Sequence, residues 1–277
     1  MSLSNLQKLA YQFRLEVLDL SQTVQSIHLA GSFSSLDLLT ALYFADILNY
    51  QKQNPAWPDR DRFLLSAGHY SPALYVILRH LGWISPESPT KVDHLEGSVQ
   101  SHPEKNLSQG LEISSGALGQ GLSIASGLAK AARLQEKSHH IFTLTSDGEH
   151  QEGQTWEAIM LASTLKLNNL INIVDRNQIQ IDGPTEEKVK LGNLAKKYKA
   201  FGWYTIEIDG HNFSEITSHL KALKKSPPRQ PVAVIAHTIG GRGVSFMENQ
   251  ASWHHRLPNP IEYKKAKEEL LLKINSL

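Results

Sequence analysis

Cysteine is absent from the 277 residues of this chain, and so are long apolar runs. The lack of cysteine excludes disulfide bonds, thiolate metal sites and cysteine nucleophiles, and it fits a reducing compartment. No apolar stretch approaches the ~20 residues that a membrane-spanning helix needs. The first residues lack the basic and apolar regions of a signal peptide. We therefore expect a cytoplasmic protein without a membrane partner.

An excess of one charge is also missing, because 28 Lys and Arg residues stand against 27 Asp and Glu residues. A nucleic-acid-binding surface usually brings a basic excess, so we expect no nucleic-acid partner. The chain has no internal repeat and no linker-like segment, and its length suits one large α/β unit. We expect a single domain spanning 1–277, with helical extensions at both ends.

Hydrophobic periodicity predicts the fold class. The amino terminus has helical spacing, and Ser34 or Ser35 could cap a second helix. The proline-rich stretch 54–105 predicts a long connecting region with one helix near 72–81. Beyond it, strand-like runs near 141–146, 170–175, 204–208 and 232–236 alternate with helical patterns near 116–133, 155–165, 191–201 and 213–223. This alternation predicts an α/β fold, a mostly parallel sheet with helices on both faces, whose ligands bind beyond the carboxyl ends of the strands.

Polar side chains follow two neighbouring strands of the predicted sheet. Asp147 and Gly148 come directly after the strand near 141–146, and Asn177 follows the next strand, thirty residues after Asp147. Oxygen donors of this kind suit Mg²⁺, which keeps coordination places for water and phosphate oxygens. An Asp-Gly pair is also common in plain turns, and an asparagine often caps a helix. The two residues alone therefore leave a metal site and a structural turn both open.

Asp147 and Asn177, taken together with other segments, resemble the pattern of transketolase over nearly the whole chain. Asp147 with Asn177 about thirty residues later resembles the thiamine-diphosphate signature, although Ser146 stands where that signature usually has glycine. Further matching segments are Arg60–His69, Ser101–Glu104, Ser115–Gly121 and Glu152–Ala158. The segments around Gly183 and at 244–249 resemble separately encoded amino-terminal subunits of split transketolases. The resemblance implies the thiamine-diphosphate-binding (PP-type) fold.

The resemblance also implies the residues that hold thiamine diphosphate and its divalent ion, Mg²⁺ or Ca²⁺. The implied cofactor-binding residues are Gly116, Leu118, Asp147, Gly148, Glu152, Asn177, Ile179, Ile181, His69, His254 and His255. Of these, Asp147, Asn177 and the carbonyl of Ile179 would hold the metal, and Leu118 and Ile181 would pack on the thiazolium ring. The run 116–121 would begin a helix at the cofactor and subunit interface, although its glycines could equally serve helix–sheet packing.

Histidines supply the implied catalytic groups. In isolation each would more often be a surface or structural residue. The resemblance implies that His28, His69, His102 and His254 are catalytic and line a channel in which they bind sugar hydroxyls and move protons. We assign His69 and the pair His254 and His255 to the diphosphate side, and His28 and His102 to the substrate. Which member of the pair faces the cofactor stays open.

Some residues depart from the family pattern. Ile27 and Leu29 replace the glycine and proline that usually flank the histidine at position 28, which predicts a differently aimed His28. Ser101 likewise replaces a glycine, and Arg256 stands where glycine or lysine is usual. These departures indicate an unusual substrate or loops that have drifted.

The resemblance implies a partner as well. In transketolases a second domain carries the glutamate that activates the cofactor and the arginines that bind substrate phosphate. We expect that domain in a separately encoded carboxyl-terminal subunit, in an α₂β₂ assembly that self-associates through the cofactor domain. The implied reaction moves a two-carbon ketol unit from a ketose, such as a sugar phosphate of the pentose phosphate pathway, to an aldose. The chain alone would be inactive.

Two other functions remain open from the sequence. One is a subunit of another thiamine-diphosphate enzyme, such as deoxyxylulose-phosphate synthase or a decarboxylating dehydrogenase. The other is a structural or regulatory paralogue that pairs with a partner without turnover.

Overall fold

The computed structural model describes residues 1–95 and 97–277. The helices are α1 Leu3–Leu20, α2 Leu29–Phe44, α3 Ser71–Leu81, α4 Gly121–Leu134, α5 Gly153–Thr164, α6 Thr185–Lys188, α7 Leu194–Ala200, α8 Phe213–Lys225 and α9 Pro260–Ser276. The strands are β1 Arg62–Leu65, β2 Ile141–Ser146, β3 Leu170–Arg176, β4 Ile179–Gln180, β5 Gly183–Pro184, β6 Tyr204–Asp209 and β7 Val232–His237. No helix in this part of the chain is both long and apolar enough to cross a membrane.

Within the described ranges, five of the strands form one sheet in the order β1, β2, β3, β7, β6. Every neighbouring pair in it is parallel, so the carboxyl ends of all five strands lie at one edge. β2 and β3 are buried along their whole lengths. Full burial is expected for strands of a parallel sheet that is covered on both faces. The predicted α/β fold is confirmed.

Hydrophobic side chains divide between the two faces of the sheet, because alternate strand residues point in opposite directions. Phe142 and Leu144 of β2 enter a core shared with α1, α2, α3, α8 and α9. Ile141 of the same strand enters a second core, which is shared with α4, α5 and α7. Each fully buried Leu, Ile or Phe contributes roughly 1.5–3 kcal/mol. The two cores therefore fix which face each strand residue occupies.

A buried ion pair on the first face joins α1 to α2. Both Nη atoms of Arg14 donate to the Asp37 carboxylate at 2.8 Å, and Arg14 also donates to the Phe33 carbonyl at 2.8 Å. His211 Nδ1 donates to Asp37 at 2.6 Å, since its Nε2 accepts from the Ile239 N–H at 2.8 Å. Burial opposes ionisation of Asp37, but Arg14 and His211 hold its pKa below the usual range. The network ties two helices to the loop after β7.

Helix α2 begins earlier than predicted. It starts at Leu29, with His28 in the N-cap position, so Ser34 and Ser35 lie inside the helix and do not cap it. Each hydroxyl donates to the carbonyl oxygen three residues back, at 3.0 and 3.1 Å. The capping prediction was wrong because a serine hydroxyl can also donate its hydrogen bond to a carbonyl oxygen of the preceding turn, inside a helix.

Two further elements differ from the sequence prediction. β1 occupies Arg62–Leu65 inside the stretch predicted as a connection, and four residues are too few to show a period. α4 begins at Gly121 and not at Gly116. Gly116 and Gly119 have φ angles of 146° and 86°, which no right-handed helix contains.

Replacing Asp37 by Asn should lower the free energy of unfolding by about 3–5 kcal/mol, the usual cost of removing one partner of a buried ion pair. Arg14 would then keep its charge in the core without an anion. Urea unfolding followed by circular dichroism measures the loss. The matched control is Asp59→Asn, which breaks an exposed pair with Lys137 and should change little. Equal losses in both variants would contradict the structural role of the buried pair.

Candidate functional site

Two loops leave the sheet side by side at its carboxyl edge. The register pairs Ser146 at the end of β2 with Asp175 in β3. The backbone N–H of Asp147 donates to the Asp175 carbonyl at 3.1 Å, which extends the pairing by one residue. The Gln178 N–H in turn donates to Asp147 Oδ2 at 2.7 Å. The structure thus brings the segment around Asn177 against Asp147, as the order of elements predicts.

The Asp147 carboxylate is buried among donors, with 1% of the residue exposed. Arg176 Nη1 donates to Oδ2 at 2.9 Å, and the Gly148 N–H donates to Oδ1 at 2.7 Å. Burial raises the pKa of Asp147 to about 6, although the positive charge of Arg176 acts in the opposite direction. The carboxylate is fixed in position, and its ionised form would gain from a further cation.

The side-chain amide of Asn177 has a fixed orientation. Its Nδ2 donates to Asp175 Oδ2 at 2.9 Å, to the Tyr70 hydroxyl at 3.1 Å and to the Ser34 hydroxyl at 3.2 Å. Its Oδ1 therefore points the other way, where it accepts from the Ile179 N–H at 3.1 Å. Asp175 is fully buried, and burial raises its pKa. The amide assignment follows because only the nitrogen can donate to the Asp175 carboxylate.

These oxygen donors fit a hard divalent cation. Asp147 offers a carboxylate and Asn177 an amide oxygen, and the chain bends sharply between Asn177 and Ile179 because Gln178 has a φ of 62°. In residues 1–95 and 97–277 no group of three or more His, Cys, Asp or Glu side chains could hold a metal. A metal here would depend on one carboxylate and on neutral oxygens such as the Ile179 carbonyl. Mg²⁺ and Ca²⁺ accept such a set and fill the remaining places with water or phosphate oxygens.

A buried glutamate connects the loop after β2 to the glycine-rich segment before α4. Glu149 accepts from the Gly119 N–H at 2.9 Å, and burial raises the pKa of Glu149. A Cβ on Gly119 would lie 2.8 Å from the Cβ of Glu152, and a Cβ on Gly116 would lie 3.1 Å from the His102 ring. Both glycines also have positive φ. Glycine at these two positions lets the segment approach Glu152 and His102 closely.

A chain of buried polar groups supports the Asp147 loop from behind. His150 Nδ1 donates to the Ser146 carbonyl at 2.9 Å, and His150 Nε2 accepts from the Tyr198 hydroxyl at 2.8 Å. Tyr198 in turn accepts from Asn172 Nδ2 at 2.8 Å. Burial lowers the pKa of His150 to about 4, so its imidazole is neutral at pH 7. Such a satisfied network in the interior holds the loop in a single arrangement.

A cleft of about 350 Å³ opens in front of these loops. Its walls are formed by His28, His69, Tyr70, His102, Gly116, Leu118, Ser146, Gly148, Gln151, Glu152, Ile179, Gln180, Ile181 and His254. Three predicted site residues do not line the cleft. Asp147 and Asn177 are buried behind its wall, and His255 is exposed beside it. All the other predicted site residues line it.

Five histidines converge at this cleft, and we call His28, His69, His102, His254 and His255 the histidine cluster. The His28 ring lies at its centre. Its centroid is 4.4 Å from that of His255, 5.1 Å from that of His69, 5.5 Å from that of His254 and 6.4 Å from that of His102. His255 stacks on His28, whereas His254 faces the cleft.

Burial and mutual repulsion keep three members of the cluster, His28, His69 and His254, neutral. Burial lowers the pKa of His28 to about 3, and nearby His254 and His255 contribute to the same shift. Burial likewise lowers the pKa of His254 to about 4 and that of His69 well below its usual value. A neutral imidazole donates through one ring nitrogen and accepts through the other. These three histidines can therefore bind hydroxyl groups and transfer protons at pH 7.

Several residues that shape this site were assigned no role from the sequence. Asp175 orients Asn177, and Arg176 pairs with Asp147, yet both stand directly before Asn177 in the chain. Their position at the end of a buried strand could have identified them. Tyr70 belongs to none of the matching segments. It is far from Asn177 in the sequence, and the fold brings the two side chains into hydrogen-bonding contact.

A larger cleft of about 640 Å³ opens at the opposite edge of the sheet, near His139, His140 and Lys224. It lies before the amino ends of β1 and β2, whereas the predicted site residues lie beyond the carboxyl ends. Ligands of parallel sheets bind at the carboxyl edge. The smaller cleft is therefore the candidate site.

This chain is similar to several known proteins. Residues 6–273 match the family described as the transketolase, thiamine diphosphate binding domain. The chain is 36% identical over 264 residues to one subunit of the apulose-4-phosphate transketolase of Phocaeicola vulgatus, and the match covers 95% of this chain and 93% of that protein. It is 38% identical over 243 residues to the 6-deoxy-6-sulfo-D-fructose transketolase subunit SqwG of Clostridium sp. strain MSTE9, with 88% of each chain covered.

A solved structure is similar along the whole chain. The transketolase of Campylobacter jejuni superposes with a TM-score of 0.89 at 32% sequence identity, over 98% of this chain and 43% of that chain. This chain therefore spans nearly the full length of the two subunits but less than half of the solved transketolase.

Acidification should destabilise the fold through the histidine cluster. An unfolded histidine takes up a proton near pH 6.5, whereas folded His28 and His254 stay neutral until about pH 3 and about pH 4. Below about pH 6.5 the unfolded state therefore binds more protons, and stability falls as pH falls. Each of the two histidines should cost up to about 1.4 kcal/mol of unfolding free energy per pH unit.

Urea unfolding at a series of pH values from 7 down to 5 measures this slope. The variant His28→Gln should show a shallower slope than the wild type, because one of the titrating groups is gone. An identical slope in the two proteins would show that His28 does not carry the effect.

Proposed function

This chain belongs to the transketolase family through its thiamine-diphosphate-binding domain, and from that premise we propose that it binds thiamine diphosphate and a divalent metal ion for ketol transfer. A two-carbon unit would pass from a ketose to an aldose. The observation that carries the proposal is the convergence of three features on one cleft. These are the loops of Asp147 and Asn177, the glycine-rich segment before α4, and the histidine cluster.

Asp147, Asn177 and the Ile179 carbonyl would hold Mg²⁺ or Ca²⁺. Asp147 supplies the negative charge, and the locked amide of Asn177 presents its oxygen without further ordering cost. The nearest described atom to a Cβ built on Gly148 is the Cβ of Gln180 at 3.6 Å, so the cleft wall is open there. A diphosphate could approach the Gly148 backbone and share the metal, in the manner usual for Mg²⁺ sites.

Leu118 and Ile181 would form the apolar part of the cofactor site. Ile181 is 60% exposed, so its side chain offers a surface that a bound ring would cover. Glu152 is also exposed at the cleft, beside Gly119. When bound, thiamine diphosphate would supply a nucleophilic carbon for addition to the ketose carbonyl and a positively charged ring to take up the electron pair of the carbon–carbon bond that breaks.

Within the histidine cluster, His28 and His102 would bind the sugar, His69 and His254 would lie on the diphosphate side, and all four would help to move protons. The proton of the hydroxyl next to the breaking bond must leave, and a neutral imidazole with a free ring nitrogen can accept it. Neutral rings can also donate to the other hydroxyls of the sugar. We propose His28, His69, His102 and His254 as the catalytic histidines, with His255 supporting His28 through the stacked contact.

We propose that the chain acts as the amino-terminal subunit of a split transketolase, together with a carboxyl-terminal subunit in an α₂β₂ assembly. The support is that two relatives matched over nearly their full lengths are named as subunits. The solved transketolase, in contrast, continues well beyond the region that this chain matches.

Self-association through the cofactor domain is part of the same proposal. Apolar side chains on α4 and α5 are exposed, including Ile124, Met160 and Leu161, which are 38%, 47% and 51% exposed. Apart from the neighbouring residues and backbone of the same helix, no atom of the described residues lies within 4 Å of a Cβ built on Gly127 or Gly153. A face with apolar side chains and small residues suits close packing against another helix face.

Replacing Asp147 by Ala should abolish the joint binding of thiamine diphosphate and Mg²⁺, because the only charged donor of the proposed metal set is lost. Isothermal titration calorimetry measures the binding, and a thermal-unfolding curve confirms that the variant is folded. Asp19→Ala on α1 removes a carboxylate away from the cleft and should bind like the wild type. Unchanged affinity in the Asp147 variant would refute the metal assignment.

The purified chain should show no ketol transfer, and activity should appear when the carboxyl-terminal subunit is added. A panel of ketose donors and aldose acceptors, assayed with thiamine diphosphate and Mg²⁺, tests the expectation. Sedimentation of the mixture gives the stoichiometry. Measurable turnover by the chain alone would overturn the split-subunit proposal, and cofactor binding without turnover in any mixture would favour a non-catalytic role.

A further inference from the structure

Arg176 contacts the proposed metal ligand Asp147 and does not line the cleft. Its Nη1 donates to Asp147 Oδ2 at 2.9 Å, and the two side chains are 9% and 1% exposed. Ser146 and Gly148, on either side of Asp147 in the chain, line the cleft, whereas Arg176 is not among the lining residues. The guanidinium therefore contacts the carboxylate and is not part of the cleft wall.

The ion pair between Arg176 and Asp147 changes the charge that a metal ion would encounter at this carboxylate. Asp147 Oδ2 accepts from both Arg176 and the Gln178 N–H, so the usual acceptor directions of this oxygen are filled. Arginine keeps its proton under all ordinary conditions. A divalent ion that binds the same carboxylate must therefore approach a fixed positive charge in a poorly solvated place, where like charges repel strongly.

Glu186 gives the guanidinium a second anion. Arg176 Nη2 donates to Glu186, and Glu186 Oε2 also accepts from the Gly192 N–H at 3.1 Å. Arg176 is thus held between two carboxylates, one buried and one at the surface. It can keep an anionic partner while the charge around Asp147 changes.

We propose that Arg176 is a built-in counter-cation of the metal site. In the metal-free chain it stabilises the Asp147 carboxylate, and by the same charge it weakens the binding of a divalent ion that arrives without diphosphate. The negative charge of the diphosphate offsets the repulsion, so Arg176 makes metal binding depend on the cofactor. The inference rests on the proposed function and assigns to Arg176 a positioning and charge-balancing role.

The test is titration of Mg²⁺ alone into the wild type and into Arg176→Met. The variant should bind Mg²⁺ about tenfold or more tightly without thiamine diphosphate, because the repulsion between like charges disappears and Asp147 lacks a cation. Its metal-free melting temperature should fall, and Mg²⁺ alone should raise that temperature more than in the wild type, since a ligand stabilises the state that binds it. The ratio of the Mg²⁺ Kd values without and with thiamine diphosphate should shrink.

Matched variants separate charge from structure. Arg176→Lys keeps the positive charge and should retain weak binding of Mg²⁺ alone. Arg176→Gln is a second neutral variant with hydrogen-bonding capacity, should the methionine variant fail to fold. Arg60→Met breaks another buried pair, Arg60 with Glu112 at 2.8 Å, near the opposite edge of the sheet. It should lower the melting temperature without changing the Kd for Mg²⁺.

The variant Asp147→Asn distinguishes failure of the proposed metal site from failure of the counter-cation role of Arg176. If Mg²⁺ binds the wild type with thiamine diphosphate and this variant abolishes the binding, the metal site stands. Unchanged or weaker binding of Mg²⁺ alone in the neutral Arg176 variants would then overturn the counter-cation role only. If neither the wild type nor any variant binds Mg²⁺, the proposed function and this inference both fail.

Discussion

The site depends on the register between β2 and β3. Ser146 pairs with Asp175, so the segments after β2 and β3 leave the sheet at the same level. Asp147 therefore contacts the segment that carries Asn177. A slip of one residue would turn every side chain of a strand to the other face. Two hydrophobic cores oppose such a slip, since Ile141 and Phe142 belong to different cores. The packing energy of the whole sheet therefore fixes the distance between the proposed metal ligands.

The segments that follow this register bury three carboxyl groups, of which one contacts an arginine. Asp147, Glu149 and Asp175 are all buried, and burial raises the pKa of each. Asp147 has an arginine, whereas Glu149 and Asp175 accept from neutral donors such as the Gly119 N–H and the Ser34 hydroxyl. Hydrogen bonds from neutral groups orient a carboxylate but offset only part of its desolvation. The arrangement is thus well ordered, and Asp147 is the one of these three carboxyl groups that is paired with an arginine.

The fold and the outline of the site could be predicted because they follow from local rules. Short β-branched runs that alternate with helical patterns indicate buried strands, and parallel strands place their carboxyl ends together, which brings Asp147 and Asn177 to one edge. Features that depend on side-chain direction could not be predicted in this way. Arg176 could have faced solvent, the cleft or Asp147, and only the packing of β3 decides. The division of His254 and His255 likewise depends on how the segment before α9 crosses the cleft.

Packing in the hydrophobic core determines the position of His28, on the proposed substrate side of the cleft. Ile27 and Leu29 are 3% and 0% exposed, so hydrophobic burial anchors the chain on both sides of the histidine. His28 precedes the first turn of α2, and Asp37 on the same helix holds α1 through its ion pair. The position of the imidazole is therefore set by a helix that the core and a buried ion pair hold, not by a flexible turn. A turn-forming glycine before His28 would let the backbone at this position move. The buried side chains of Ile27 and Leu29 instead fix this backbone, and with it the centre of the histidine cluster.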